Sequence, residues 1–276
     1  MAILFGLLAA FVWGTGNLAA SRASRVMTPN SLLAGISIAG VALCVPLLLI
    51  EGPPRDTSFS GLFWLTLGGT ANIAGLALLY IAYRAGDVSL VAPICSTEGA
   101  IAAGERVQAI VIILLVVIVL GVVRAAGAGT GQIAVAGRLN WGVVTVTCLG
   151  AICFGVSLYA TGRASTREQF GWIAASPRLV GLICVTLPLL VRGRLRMTRA
   201  GMPALLLSAL CEVGGFSLYS LAAHHSLAVA AVLGSLFAAF AVVGAMVLFG
   251  ERMDRGQYLG VAMIVAGVAV LGAVSG

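Results

Sequence analysis

Apolar residues fall into ten blocks along the chain, divided by short polar or glycine-rich breaks, and no block sets aside a face for water. A helix that is hydrophobic on every side belongs in a large core or in lipid. Crossing the hydrocarbon of a bilayer takes about 20 such residues, and most of the blocks are of that size. The predicted spans are Ala2–Ala20, Leu32–Ile50, Leu62–Tyr83, Val88–Ala103, Val107–Val123, Trp141–Thr161, Phe170–Val191, Pro203–Ala223, Leu227–Phe249 and Gly256–Val274. Helices are the default, because backbone polar groups in hydrocarbon must be satisfied within their own segment.

Composition supports lipid as the solvent. Of 276 residues, 61% are hydrophobic and 9% charged, too little polar surface for a water-soluble domain of that length. The net charge of +7 comes from arginine alone, since the chain holds no lysine. In a membrane protein such an excess belongs to cytoplasmic loops, and no arginine cluster is interleaved with aromatics as nucleic-acid binding would need. Cys44, Cys95, Cys148, Cys153, Cys184 and Cys211 all fall inside apolar blocks with no CxxC spacing. They predict small apolar filler, with neither a disulfide framework nor a metal site. The opening MAILFGLLAAFVWG lacks the basic segment of a signal peptide and reads as the first span.

The two halves of the chain repeat one another. Trp13-Gly14 followed by LAASRAS matches Phe154-Gly155 followed by LYATGRAS, an offset of 141. VPLLL at Val45–Leu49 matches LPLLV at Leu187–Val191, an offset of 142, and Gly75 and Tyr80 match Gly214 and Tyr219, an offset of 139. Both halves also carry a Gly-Glu-Arg, at Gly104–Arg106 and Gly250–Arg252. Ordered matches of this kind point to an internal duplication. The expected organisation is a five-helix repeat over residues 1–123, a Gly/Ala-rich linker over 124–140 and a second repeat over 141–276. With five spans each, the second copy enters the membrane inverted, the plan of secondary transporters whose site lies near the midplane between the halves. The fold class is therefore an all-α integral membrane protein of ten transmembrane helices in two inverted repeats.

The paired Gly-Glu-Arg ends, VSLVAP around Pro93, Arg178 with LVGLICVTLPLL and the terminal GERMDRGQYLGVAMIVAGVAVLG carry a resemblance. The sequence resembles the drug/metabolite transporter superfamily in its ten-span EamA-like form, over essentially the whole chain. The resemblance implies a small-molecule carrier, commonly an exporter of metabolites or amino acids, and a location in the bacterial cytoplasmic membrane.

Candidate site residues are the polar groups inside the spans. Glu212 lies mid-span, where a bare carboxylate costs about 2.5 kcal/mol or more. It must be protonated, paired or facing a wet cavity; a neutral acid bonded to a neighbouring helix is the structural alternative, and intramembrane acids are functional by default. Glu98 is the second acid. Tyr219 lies seven residues beyond Glu212, nearly on the same helix face, with Tyr80 as its repeat mate and Tyr159 from the sixth span. With Trp13, Asn17 and Asn72 these tyrosines are expected to line an aromatic, partly polar cavity suited to amphipathic solutes. Singly, each aromatic would serve packing or interface anchoring. Arg178 follows Pro177 and reads best as a helix start whose side chain snorkels to headgroups, ahead of pairing with Glu98 or Glu212. Small residues recur every four positions at Gly6, Ala10 and Gly14, at Ala71 and Gly75, and at Gly256 and Gly260, which allows close helix approach. No catalytic triad, phosphate loop, metal ligand set or cofactor motif is visible, so neither an enzyme nor a cofactor is expected.

The fourth span is short. Val88–Ala103 has 16 residues against 23 in its counterpart Leu227–Phe249, about 24 Å against about 34 Å of helix. Reaching the far interface would require local thinning or a broken, re-entrant unit. Loops opposite the termini carry 11 arginines against 4 on the terminal side. The positive-inside rule therefore places both termini outside, where the resemblance implies both inside. The expected function is a secondary transporter exporting a small organic solute by alternating access, with proton coupling through Glu212; its partners are the bilayer, the solute and protons, not nucleic acid. The competing expectations are a non-transporting membrane scaffold or accessory subunit, and a shortened, impaired carrier.

Overall fold

The computed structural model describes residues 1–86, 88–98 and 141–250, with isolated positions 255, 258, 259, 262 and 266 beyond them. The predicted fifth span, the 124–140 linker, most of the tenth span with Gly256 and Gly260, the first Gly-Glu-Arg and the Glu-Arg of the second lie outside the described residues. So does the end of the fourth span, and with it the question of how far that span reaches.

The described chain is helical, with no strand among the described residues. Its helices are α1 (Ala2–Ser24), α2 (Pro29–Glu51), α3 (Phe59–Ala85), α4 (Val88–Cys95), α5 (Trp141–Ser165), α6 (Phe170–Val191), α7 (Met202–His225), α8 (Leu227–Ser235) and α9 (Phe237–Phe249). Six of these, α1, α2, α3, α5, α6 and α7, are long and apolar enough to cross a membrane. α6 coincides with its apolar block and the other five overrun theirs by a few residues, in places where capping groups lie just outside the block. Ser24 donates back to the Ser21 carbonyl at 2.7 Å. Thr28 and Ser58 accept from the amides of Ser31 and Gly61 at the starts of α2 and α3, each at 3.3 Å. Large apolar side chains such as Leu49, Ile183, Leu210 and Val247 point outward, as a lipid-facing surface requires.

Two expectations are corrected. The ninth span is not one helix: it breaks at Leu236, between α8 and α9. Gly234-Ser235 precede the break, a local weakness inside an otherwise unbroken apolar run. Arg178 does not start a helix at the interface. It lies inside α6 with Pro177 beside it, and a π-helical turn, Leu182–Thr186, follows one turn later. Neighbouring helices can re-satisfy backbone groups freed by proline and by such irregular turns.

The helices pack in exchanged pairs. α1 lies along α7 and α3 along α5; α1 also meets α9 where α4 meets α5, and α2 meets α7 where α3 meets α6. Glycines set the closest approaches. A Cβ added at Gly16 would stand 2.7 Å from the Cβ of Cys211, and one at Gly14 2.6 Å from the Cβ of Phe240. On the other pair, a Cβ at Gly75 would meet the Phe154 ring at 2.9 Å. Of the four-residue small-side-chain rows, Gly6, Gly14 and Gly75 thus sit in helix contacts, and Ala10 is buried beside them.

Candidate functional site

A small cavity opens where α1, α3, α5 and α7 face one another. From α1 it receives Trp13 and Asn17, from α3 Asn72, Leu76 and Leu79, from α5 Phe154 and Leu158, and from α7 Glu212 and Phe216. Two more residues arrive just past helix breaks: Glu98, after α4 has ended at Cys95, and Phe237, after α8 has ended at Ser235. The pairs Trp13/Phe154 and Asn17/Leu158 are each 141 residues apart, and Glu98/Phe237 are 139 apart. These are the repeat offsets, so matched positions of the two halves meet in one cavity.

Glu212 is buried, 7% exposed, and accepts a hydrogen bond from Arg178 Nη2 at 3.0 Å. Arg178 itself is 0% exposed. Its guanidinium lies 5.5 Å from the centre of the Phe216 ring, and Gly40 of α2 leaves room for its aliphatic stem, an added Cβ there coming 2.7 Å from Arg178 Cδ. A buried ion pair repays its desolvation only with good geometry. Here the pair also joins α6 to α7 across the middle of the bundle.

The remaining predicted residues divide. Trp13, Asn17, Asn72, Glu98 and Glu212 share the cavity. Asn17 is held by its Nδ2 donating to the Trp13 carbonyl at 2.9 Å and its Oδ1 accepting from Tyr83 Oη at 2.7 Å. Asn72 Oδ1 is buried with no hydrogen-bond partner among the described residues. The three predicted tyrosines stand behind or beside the wall. Tyr219 is buried, donates to the Leu158 carbonyl at 3.3 Å and backs the Trp13 ring at 5.6 Å between centres. Tyr80 is buried outside the lining, and Tyr159 meets Trp64 edge to face at 5.9 Å. Sequence reasoning ranked the pairing of Arg178 with Glu98 or Glu212 second to snorkelling, and missed Tyr83 as the holder of Asn17 and Phe154, Phe216 and Phe237 as wall. The offset of 141 from Trp13 was the available signal for Phe154.

Chemically, the site combines two carboxylates, two amides and four aromatic faces around one small cavity. Among the described residues no cluster of His, Cys, Asp and Glu has the arrangement of a metal site.

Comparison with known proteins gives three findings. Residues 1–125 and 140–273 match the family described as EamA-like transporters. A solved crystal structure of another protein aligns with a TM-score of 0.71 over 99% of this chain and 97% of that one. At 17% identity that likeness is one of fold. No curated protein matches the chain.

Proposed function

The chain belongs to the EamA-like transporter family, and from that premise we propose that it is a secondary carrier exporting a small organic solute by alternating access. The carrier is read as ten spans in two inverted five-helix halves, residues 1–123 and 141–276, joined by the 124–140 linker. The observation that carries this reading is the single cavity at which repeat-matched positions converge. A site on the axis between inverted halves can be exposed to either side by rocking one half against the other.

Proton coupling is assigned to Glu212. A proton placed on that carboxylate removes the charge-assisted bond to Arg178 and leaves the guanidinium without its counter-charge. Protonation would therefore change how α6 and α7 hold each other, which ties a chemical event to a packing event. In the bacterial cytoplasmic membrane, with an acidic exterior, such coupling would drive export.

The test is flux in proteoliposomes under an imposed pH gradient. Wild-type flux is expected to follow the gradient, and Glu212→Gln is expected to abolish that response. Because this substitution strands a buried arginine, it should also cost about 3–5 kcal/mol of stability. The paired substitution with Arg178→Met restores charge balance and serves as the folding control. Flux indifferent to pH in wild type and in the paired variant would remove proton coupling from the proposal.

A further inference from the structure

We propose that a trough between α1 and α7, at the arginine-rich end of the bundle, seats one anionic phospholipid, its phosphate on Arg22 and an acyl chain along the apolar floor. The site is separate from the central cavity and does not depend on the carrier reading.

The trough holds about 450 Å³. α1 lends it the face from Thr15 to Arg22, α7 and the turn before it lend the face from Ala200 to Leu207, and α9 adds Leu248 and Phe249. Thr15 and Arg22 are seven residues apart, so the wall runs about 10 Å along α1. Arg22 stands exposed in the last turn of that helix. Thr15, at the deep end, already donates its hydroxyl to the Phe11 carbonyl at 3.0 Å. Leu207 and Leu248 are exposed, so the trough opens on the side where lipid lies. One end is cationic and the rest apolar, which is the complement of an amphipathic anion.

The repeat supplies a control inside the molecule. The offset of 141 carries Leu18 to Tyr159 and Arg22 to Arg163, and the offset of 139 carries Trp64 to Pro203. Between α3 and α5, Trp64 and Tyr159 meet edge to face at 5.9 Å, and Arg163 lies over the Trp64 ring at 5.7 Å. An indole face attracts a cation. Between α1 and α7 both rings give way to smaller aliphatic side chains, Leu18 and Pro203, and the space between them is open. Arg22 has no acid and no ring against it among the described residues. The partner that Arg163 finds within the chain, Arg22 takes from outside it.

Charge selects the class of that partner. The two loops at this end, residues 25–28 and 192–201, hold Arg25, Arg192, Arg194, Arg196 and Arg199 and no acid. The stretch after α9 adds Glu251 and Asp254 together with Arg252 and Arg255, which leaves the balance unchanged. An anion is therefore favoured, and a guanidinium matches phosphate with two parallel bonds. The positive-inside rule puts this end in the cytoplasm, against the leaflet whose anionic headgroups bind in basic pockets between helices. Free phosphate would use the arginine and leave the apolar length of the trough uncovered; a phospholipid covers both.

The test is native mass spectrometry of the delipidated full-length protein with phosphatidylglycerol or phosphatidylcholine of the same acyl chains, the fold of each variant being checked by thermal melting. Phosphatidylglycerol should bind about fivefold more tightly, the scale of one arginine beside an anionic headgroup. Arg22→Gln should erase that preference, whereas Arg163→Gln, which removes the same charge from the matched place, should keep it. Pro203→Trp introduces the ring that closes the counterpart, and should expel the lipid while Arg22 remains. Equal binding of the two lipids by wild type overturns the proposal, and this comparison needs no variant to fold. So does a preference that survives Arg22→Gln, or one that falls as far in Arg163→Gln, which would mark diffuse charge. A preference kept in folded Pro203→Trp would make Arg22 a side chain snorkelling to bulk headgroups and remove the trough. Displacement of the lipid by inorganic phosphate would make the ligand the free anion. A dimer that binds no lipid and is lost in Pro203→Trp would give the trough to a second copy of the chain. Either result overturns the lipid site.

Discussion

Two loop junctions close the ends of the described bundle, and they are held by different chemistry. At one end the loop between α2 and α3 meets the loop between α5 and α6. Glu168, 6% exposed, accepts the amides of Arg55 and Asp56 at 3.0 and 2.8 Å. Glu51 accepts the Gly171 amide at 3.1 Å, Gln169 donates to the Glu51 carbonyl at 3.2 Å, and Trp172 Nε1 donates to the Gly52 carbonyl at 2.8 Å. At the other end the loop between α1 and α2 meets the loop between α6 and α7. There the Arg196 amide donates to Ser31 Oγ, in the first turn of α2, at 3.1 Å. The offset of 141 that aligns the repeats places Met27 opposite Glu168 in the two arrangements. Met27 is 4% exposed and packs on Gly201, where an added Cβ would lie 2.6 Å from its sulfur.

Matched positions thus hold a carboxylate latch at one end and an apolar plug at the other. Hydrogen bonds to a charged group contribute about 1.5–3 kcal/mol each, and full burial of a methionine about 1.5–3 kcal/mol in total. Two such bonds on Glu168 alone outweigh the plug. The Glu51, Gln169 and Trp172 bonds widen the margin. Among the described residues, this inequality makes the Glu168 junction the more firmly held of the two.

The largest effect is expected from Glu168→Ala. It leaves two loop amides without their acceptor, at a cost of about 3 kcal/mol. Hydrogen exchange should show the amides of Arg55 and Asp56 losing protection while the opposite junction keeps its own. Equal loosening of both ends, or of neither, would break the comparison. Met27→Ala should come next, with a loss of about 2 kcal/mol, at the low end for a buried methionine because a loop can settle into the space. Its exchange signature should appear in the loop from Arg192 to Thr198 and spare Arg55. Trp172→Phe keeps the ring and removes one neutral hydrogen bond, so about 1 kcal/mol is expected, again at the Glu168 end alone.

Much of this architecture was legible in the residues. The apolar blocks gave six helices with small errors at their ends, because lipid demands unbroken apolar length, and the repeat offsets held the signal for the cavity pairs without its being used. What escaped was set by side-chain direction and by loops. Tyr80 and Tyr219 share the register of cavity residues, but period alone does not say which of two buried faces a ring takes. Arg178 beside Pro177 has the pattern of a helix start, and nothing in the pattern shows that Glu212, 34 residues on, waits to receive it. Glu168 lies in a short loop, where an acid ordinarily faces water; only its mate Met27, an apolar residue in the same loop position, hinted that the place is buried. The break at Leu236 interrupts a run whose composition does not change across it.

The smallest expected effect concerns Arg167 and Asp56, at the exposed rim of the latch. Arg167 Nη1 lies 3.4 Å from Asp56 Oδ2 and is largely open to solvent. Arg167→Ala should therefore cost no more than about 0–1 kcal/mol. The hydroxyl and amide of Ser58, and less strongly Arg167, hold the Asp56 carboxyl below the usual carboxylate range. A carboxyl depressed in the fold contributes stability that is complete above its unfolded value, near pH 4, and fades as pH falls through the folded one. Acidification below about pH 4 should thus loosen this rim, by a small amount because the Asp56 side chain is still partly open to solvent. The Ser58 amide, which donates to Asp56 Oδ1 at 3.0 Å, is the reporter. In Asp56→Asn its exchange should lose the acid dependence once intrinsic exchange is subtracted. Persistence of that dependence would show that Asp56 does not carry the acid response of this rim.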